Sequence, residues 1–300
     1  MRTRVIGRLR HEVRPGLGRQ FPRRLANRFG ARNVPDDISR DQFIPPPGTS
    51  EADRRRQSFG AQADAYTKFR PGYPPEVFDY LLGLVNGTGN PPDVVDIGAG
   101  TGQLTAGFAQ RDCRVVGVEP DERMRAVLAS REGIADTFGG SAESLPLPDS
   151  SADLVTGAQM WHWVDPAKAV PEIARVLRPG GVLAIIWSLR DDNEAWLRAM
   201  EDVVELPDSY KWFRKHDVPV LADPFGPMQM REFAFTQTST PEGLVGLVGT
   251  FSHVALSDRR VEIEAGVREL TRTHPDLAGK QSFEVPYICK VFTAKKPAAA

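Results

Sequence analysis

The residues with the clearest chemical meaning lie in one stretch, Asp96-Ile97-Gly98-Ala99-Gly100-Thr101-Gly102, between an apolar run and a helical stripe. Glycines there let a backbone turn tightly and approach a ligand, because a Cβ would fill the space. A dinucleotide fingerprint, G-x-G-x-x-G, would place its third glycine at 103, but that position is Gln103 and the spacing is G-x-G-x-G. No Gly-Lys-Ser or Gly-Lys-Thr closes the loop, so it is not a P-loop. Seventeen residues past Gly102 the next apolar run ends at Glu119, followed by Pro120. A carboxylate at such a strand end can accept both hydroxyls of a ribose. Next comes Gly140-Ser141-Ala142-Glu143-Ser144-Leu145-Pro146, where the Ala142 amide and its polar neighbours suit an adenine edge. A ribose carboxylate, an adenine-reading loop and no phosphate site describe a nucleoside without a phosphate chain. S-adenosylmethionine (SAM) is the common cofactor of that description.

These residues need elements to hold them. Ser58 to Lys68 reads as a short helix closed by Arg70-Pro71-Gly72-Tyr73-Pro74-Pro75, and Pro75 opens a second helix with Val77, Tyr80, Leu81, Leu84 and Val85 on one face. Strands are expected at 93–97, 113–118, 153–156 and 182–187, with helices striped by Leu104 and Phe108, over 121–130, and over 167–177 up to Arg178-Pro179-Gly180-Gly181. Strands alternating with helices predict a parallel, doubly wound α/β sheet, and the unbroken apolar strands predict cover on both faces. Beyond Trp187 a helix is expected over 193–206 and strands over 232–238 and 283–293.

Residues 58 to 190 resemble the class I SAM-dependent methyltransferases, in the type 11 branch of ubiquinone-methyltransferase-like and trans-aconitate-methyltransferase-like enzymes. Four blocks carry the resemblance in order: Asp96 to Gly102, Gly117-Val118-Glu119-Pro120, Gly140 to Pro148, and Arg175-Val176-Leu177-Arg178-Pro179-Gly180-Gly181. Arg70-Pro71-Gly72-Tyr73-Pro74 resembles that branch's opening motif. The resemblance implies a Rossmann-like seven-stranded sheet with a helical lid insertion, SAM as cofactor, and methyl transfer to a small molecule at oxygen (carboxylate or phenol) or carbon. One departure is Ser141, where many members carry an Asp on the adenine amine, with Glu143 as the substitute here.

The cofactor-binding set is therefore Arg70, Asp96, Gly98, Gly100, Gly102, Glu119, Pro120, Ala142, Glu143 and Gln159. Asp96 either fixes the loop or touches the methionine amine. Arg70 is either a surface ion-pair partner or meets the methionine carboxylate, and Tyr66 is either a half-buried aromatic or faces the sulfonium. After the fourth strand comes Gln159-Met160-Trp161-His162-Trp163, at the edge where open α/β sheets bind ligands. Gln159 suits the methionine end of the cofactor, and His162 is either a packed ring or a base. Trp161 and Trp163 are expected as pocket walls, with His253 in the lid region as a further pocket residue. No His, Cys and carboxylate cluster has metal spacing, so no metal is expected.

Composition bounds the rest. The 300 residues hold 38 Lys and Arg against 39 Asp and Glu, with 41% apolar and 26% charged residues, the balance of a globular protein. The near-zero total hides a division. Residues 1–56 carry 14 Arg, no Lys and 6 acidic residues, a net of +8, which leaves 24 basic and 33 acidic residues beyond them, a net of −9. The stretch from Arg2 to Arg32 has three readings: a phosphate-gripping arm, a transit peptide, or a disordered extension of the kind translated upstream of a true start. The last is expected, because the first Ser is Ser39 and no apolar h-region supports a signal peptide. The expected division is an extension over 1–56 and a catalytic domain over 57–300, with a cofactor core at 57–190, a lid at 191–281 and a final strand at 282–295. Two cysteines, Cys113 and Cys289, fit a reducing, cytoplasmic setting, and the longest apolar run, Val182 to Trp187, is too short to span a bilayer. A core at −9 argues against a nucleic-acid substrate. The competing functions are a nicotinamide-dependent oxidoreductase, disfavoured by Gln103, and a non-enzymatic SAM-binding protein.

Overall fold

The computed structural model describes residues 63–85, 91–206, 221 and 223–298. The expected extension over 1–56 lies outside these residues, as do the first five of the helix expected from Ser58. Helix α1 is Ala63–Phe69 and α2 is Pro75–Val85, opened by its proline. Strand β1 (Asp93–Ile97) leads into α3 (Gln103–Ala109), β2 (Arg114–Val118) into α4 (Glu122–Ala129), and then comes the short β3, Asp136–Phe138. β4 (Ala152–Ala158) leads through a 3₁₀ turn at Trp161–Trp163 into α5, Pro166–Val176. β5 (Leu177–Arg190), α6 (Ala195–Val203), β6 (Gln229–Ser239), α7 (Pro241–Gly249), α8 (Ser252–Ala255), α9 (Arg260–Thr273) and β7 (Phe283–Lys295) follow.

Side-chain oxygens cap three of these helices. Asp121 accepts from the Arg123 and Met124 amides, Asp165 from Ala167, and Thr240 from Gly243. Each such cap satisfies an amide the helix leaves open, a gain of about 1 kcal/mol.

The sheet has seven strands in the order β3-β2-β1-β4-β5-β7-β6. β1 through β5 are parallel, as the alternation predicted. At the other edge, beyond the stretch where strands and helices alternate, β7 runs antiparallel to both β5 and β6. β6 alternates between exposed and half-buried positions over Phe233 to Ser239, a one-sided pattern that antiparallel edges tolerate and buried parallel strands do not. β5 also begins earlier than expected: Leu177 pairs with Ala152, the register then shifts, and Val182 resumes against Leu154. The Arg178-Pro179-Gly180-Gly181 segment, expected to end the helix, thus does so as an irregularity inside a strand.

Alternate residues of β5 serve opposite faces. Leu183, Ile185, Trp187 and Leu189 join α5 residues such as Val170 and Ile173 in one core. Val182, Ala184 and Ile186 join Val77, Phe78 and Leu81 of α2 and Phe108 of α3 in the other. A third core gathers Trp196, Leu197 and Met200 of α6 with Leu244 and Val248 of α7, Val267 of α9 and the start of β7. Full burial of side chains such as Phe108, Ile173 or Leu197 contributes about 1.5–3 kcal/mol each. No described helix is long and apolar enough to cross a membrane.

Candidate active site

The strand order reverses between β1 and β4, and open α/β sheets bind ligands outside the carboxyl ends of the strands at such a point. A cleft lies there, with an empty volume, counted out to solvent, of about 730 Å³. Tyr66, Gly98, Gly100, Glu119, Pro120, Ala142, Glu143, Gln159 and Trp163, all singled out from the sequence, line it.

The glycine loop is held from below. Asp96, 1% exposed, accepts hydrogen bonds from Thr105 Oγ1 at 2.6 Å and Thr156 Oγ1 at 2.9 Å, joining β1 to α3 and β4. Burial pushes its carboxyl up to about 6, against the lowering by the two hydroxyls. Asp96 anchors the loop's base and is not part of the cleft wall. Gly98 has φ +60°, and a Cβ there would meet Met160 Cγ at 2.9 Å. Gly102 has φ +83° and begins α3; its Cβ would stand 2.7 Å from Leu128 Cδ1, so this glycine lets α3 and α4 approach rather than lining the cleft. That is the packing role assigned to the third glycine of a fingerprint, met here one position early.

Glu119, 6% exposed, accepts from the Gly100 amide at Oε2 and the Asp121 amide at Oε1, both at 2.8 Å. Burial raises its pKa, opposed by those two bonds. Each oxygen retains a lone pair, so a pair of vicinal hydroxyls can still be accepted. Across the cleft, Glu143 Oε1 accepts from the Asp165 amide at 2.9 Å, which ties the 140–146 loop to the start of α5.

Gln159 follows β4 with φ +57°, a left-handed backbone unusual outside glycine, and its Nε2 donates to Ser188 O at 2.8 Å. Conformations of this kind concentrate where surrounding structure fixes a functional side chain. The next three aromatic rings diverge. Trp161 is 3% exposed and belongs to the core, so it is not the pocket wall expected from the sequence. Trp163 lines the cleft, and His162 sits against Trp163 with ring centroids 4.7 Å apart, outside the lining.

Two further residues fall elsewhere. Arg70 does not line the cleft: its Nε donates to Thr250 Oγ1 at 2.9 Å and its Nη2 to Thr250 O at 3.0 Å. His253 lies on α8 with Nε2 3.2 Å from Val204 O, also away from the lining. Met124, Ser141, Ala158, Met160 and Val164 complete the wall without having been selected from the sequence as binding residues. Met124 carried a weak signal, five residues past the strand-end Glu119; the apolar Met160 and Val164 read as core. Among the described residues no group of three His, Cys, Asp or Glu could hold a metal.

Residues 95–185 match the family described as Methyltransferase domain. An uncharacterized methyltransferase of Mycobacterium tuberculosis is 39% identical over 233 residues, covering 77% of this chain and 92% of that protein. The chain belongs to the class I SAM-dependent methyltransferases of type 11. This methyltransferase also matches the malonyl-[acyl-carrier protein] O-methyltransferase of Methylococcus capsulatus, at 38% identity over 136 residues, 42% of this chain and 48% of that one. A solved structure from Anaeromyxobacter dehalogenans, described as a type II methyltransferase, superposes with a TM-score of 0.62 at 23% identity, over 77% of this chain and all of that one. That likeness bears on the fold. Family membership sets aside the nicotinamide and non-enzymatic alternatives. The cleft fits the family's cofactor: close backbone approach at Gly98 and Gly100, a buried carboxylate at the end of β2, and no phosphate-binding lysine in the loop.

Proposed function

We propose that this methyltransferase esterifies a small-molecule acceptor at a carboxylate oxygen. SAM supplies an already activated methyl group, so the protein's task is to hold an acceptor in line with it and keep water away. Glu119 and the Gly98 to Gly100 backbone hold the nucleoside, with the Ala142 amide and Glu143 beside the base. Tyr66, Gln159 and Trp163 shape the space in which the acceptor meets the methyl group.

The observation that carries the choice of acceptor is the lining itself. Among its described residues there is no histidine or lysine, and the two glutamates are Glu119 and Glu143, at the nucleoside end. A phenol or an acidic carbon needs a proton removed, whereas a carboxylate is ionised at pH 7 and needs no base. The part-length similarity to a malonyl-[acyl-carrier protein] O-methyltransferase supports the same acceptor atom.

The test is transfer of tritiated methyl from SAM to a panel of carboxylic acids, phenols and amines. A base-labile, volatile product from an acid is expected; base-stable label on a phenol or carbon would refute the reading. His162→Gln should lower turnover by less than ~10³-fold and leave S-adenosylhomocysteine affinity intact, since a general base is worth roughly 10²–10⁴-fold.

A further inference from the structure

Arg175, the first residue of the Arg175 to Gly181 block, stands on α5 one turn after Glu172. The two side chains meet: Arg175 Nη2 donates to Glu172 Oε1 at 2.7 Å and Nε to Oε2 at 2.9 Å. Those bonds draw the Glu172 pKa down, so the pair is ionic. Both residues also reach the loop that follows Glu143. Glu172 Oε1 accepts from the Leu145 amide at 2.8 Å. Arg175 Nη2 donates to Leu145 O at 3.1 Å and Nη1 to Leu147 O at 2.8 Å, with Asp149 Oδ1 2.7 Å from Nη1. One helical pair thus satisfies both the N–H and the C=O of Leu145, groups that a neighbouring strand would otherwise take.

The loop held in this way is tightly turned. The Ser144 amide donates to Ser141 O at 3.1 Å, and a Cβ on Gly140 would stand 2.8 Å from Pro146 Cδ. A shift of Leu145 is therefore passed on to Ser141, Ala142 and Glu143, which line the cleft. α5 grips the same loop again at its N-terminus, where the Asp165 amide donates to Glu143 Oε1. Gln159 and Trp163, also in the lining, run along the chain straight into α5. Two stretches of the cleft wall are mounted on one helix.

We propose that Glu172 and Arg175 are positioning residues for the cofactor's base, setting the Ala142 amide and the Glu143 carboxylate against the adenine edge. They act through the Leu145 and Leu147 backbone and not on the ligand. The proposal rests on the reading that the base lies beside Ala142 and Glu143, and it is independent of the acceptor. Adenine offers an acceptor at N1 and a donor at its 6-amino group, which an amide and a carboxylate match in that order. Hypoxanthine reverses both, with a donor at N1 and an acceptor at O6, so a correctly set loop rejects it. Arg175 serves as a planar fork; a lysine keeps the charge, but its compact ammonium cannot span Glu172 and two separate carbonyls.

The experiment is calorimetric titration of the full chain with S-adenosylhomocysteine and with S-inosylhomocysteine, the same molecule carrying hypoxanthine for adenine. The parent protein should prefer the adenine form by about tenfold or more. That ratio should fall by about threefold or more in Arg175→Lys, and to within about twofold of unity in Glu172→Met/Arg175→Met, which removes both charges together. An unfolded fraction weakens both ligands alike and cancels in the ratio, so a merely structural loss leaves it unmoved. If the double variant does not fold, Arg175→Lys decides alone. A ratio unchanged in Arg175→Lys, beside a clear preference in the parent, overturns the proposal while leaving the base beside Ala142 and Glu143. A parent without preference overturns it too, and removes the base from that loop. Binding is read without turnover, so a failure of carboxylate esterification registers separately, as base-stable label in the transfer assay.

Discussion

Two buried carboxylates sit on either side of the glycine loop and do different work. Glu119 accepts a loop amide with one oxygen and the Asp121 amide with the other, so it is oriented before any ligand arrives. Glu119→Ala should weaken S-adenosylhomocysteine binding by roughly 2–4 kcal/mol, or about 30- to 1,000-fold, at the strength of charged hydrogen bonds. Unchanged affinity by calorimetry in a folded variant would remove it from the cofactor site. Asp96 makes a prediction about pH instead. Its carboxyl is pushed from 3.8 to about 6, so between those values the folded protein holds more protons than the unfolded chain. Stability then falls as pH rises through that window, by on the order of 3 kcal/mol at most. Melting wild type and Asp96→Asn in parallel checks this: the wild type should gain relative to the variant on going from pH 7 to pH 5. An equal difference at both pH values would mean that Asp96 is not strained towards its neutral form.

At the scale of elements, the glycine loop is where strand, turn and neighbouring helix must agree. Gly102→Ala combines left-handed backbone strain with a clash against Leu128 and Arg131 of the α4 side, and should cost about 2–5 kcal/mol. Gly180, at φ +80° with nothing within 4 Å of where a Cβ would stand, offers the control; its Ala variant should lose only about 1–2 kcal/mol. Urea midpoints at constant m separate the two, and equal losses would mean that the α3–α4 approach contributes nothing. The parallel half of the sheet was legible because Val94-Val95, Val115-Val116 and Leu154-Val155 are unbroken apolar runs followed by helical stripes. The antiparallel half was not, because pairing partners of β7 are set by tertiary packing and leave no local mark. In the site, Glu119 and the glycines were readable from spacing. Trp161 and Trp163 were not separable, since only the 3₁₀ turn decides which ring enters the core.

At the scale of the whole molecule, we propose from their composition, 14 Arg and a net charge of +8, that the first 56 residues are dispensable for the fold. A chain beginning at Glu51 should keep its melting temperature and its S-adenosylhomocysteine affinity, because an Arg-rich composition of this kind offers too little apolar surface to offset ordering entropy. A lower melting temperature or lost affinity would show that the segment is part of the folded unit. The placement of β7 between β5 and β6 has a consequence for the order in which a ribosome delivers the sheet. Among the described residues β6 has no strand neighbour other than β7, and 43 residues separate Ser239 from Phe283. At bacterial to eukaryotic elongation rates of about 5–20 residues per second, β6 waits for seconds with both hydrogen-bonding edges open. An unpaired strand carrying Phe233 and Phe235 is a template for other nascent chains, so chaperone supply during synthesis, rather than the stability of the finished sheet, should govern how much protein a cell recovers.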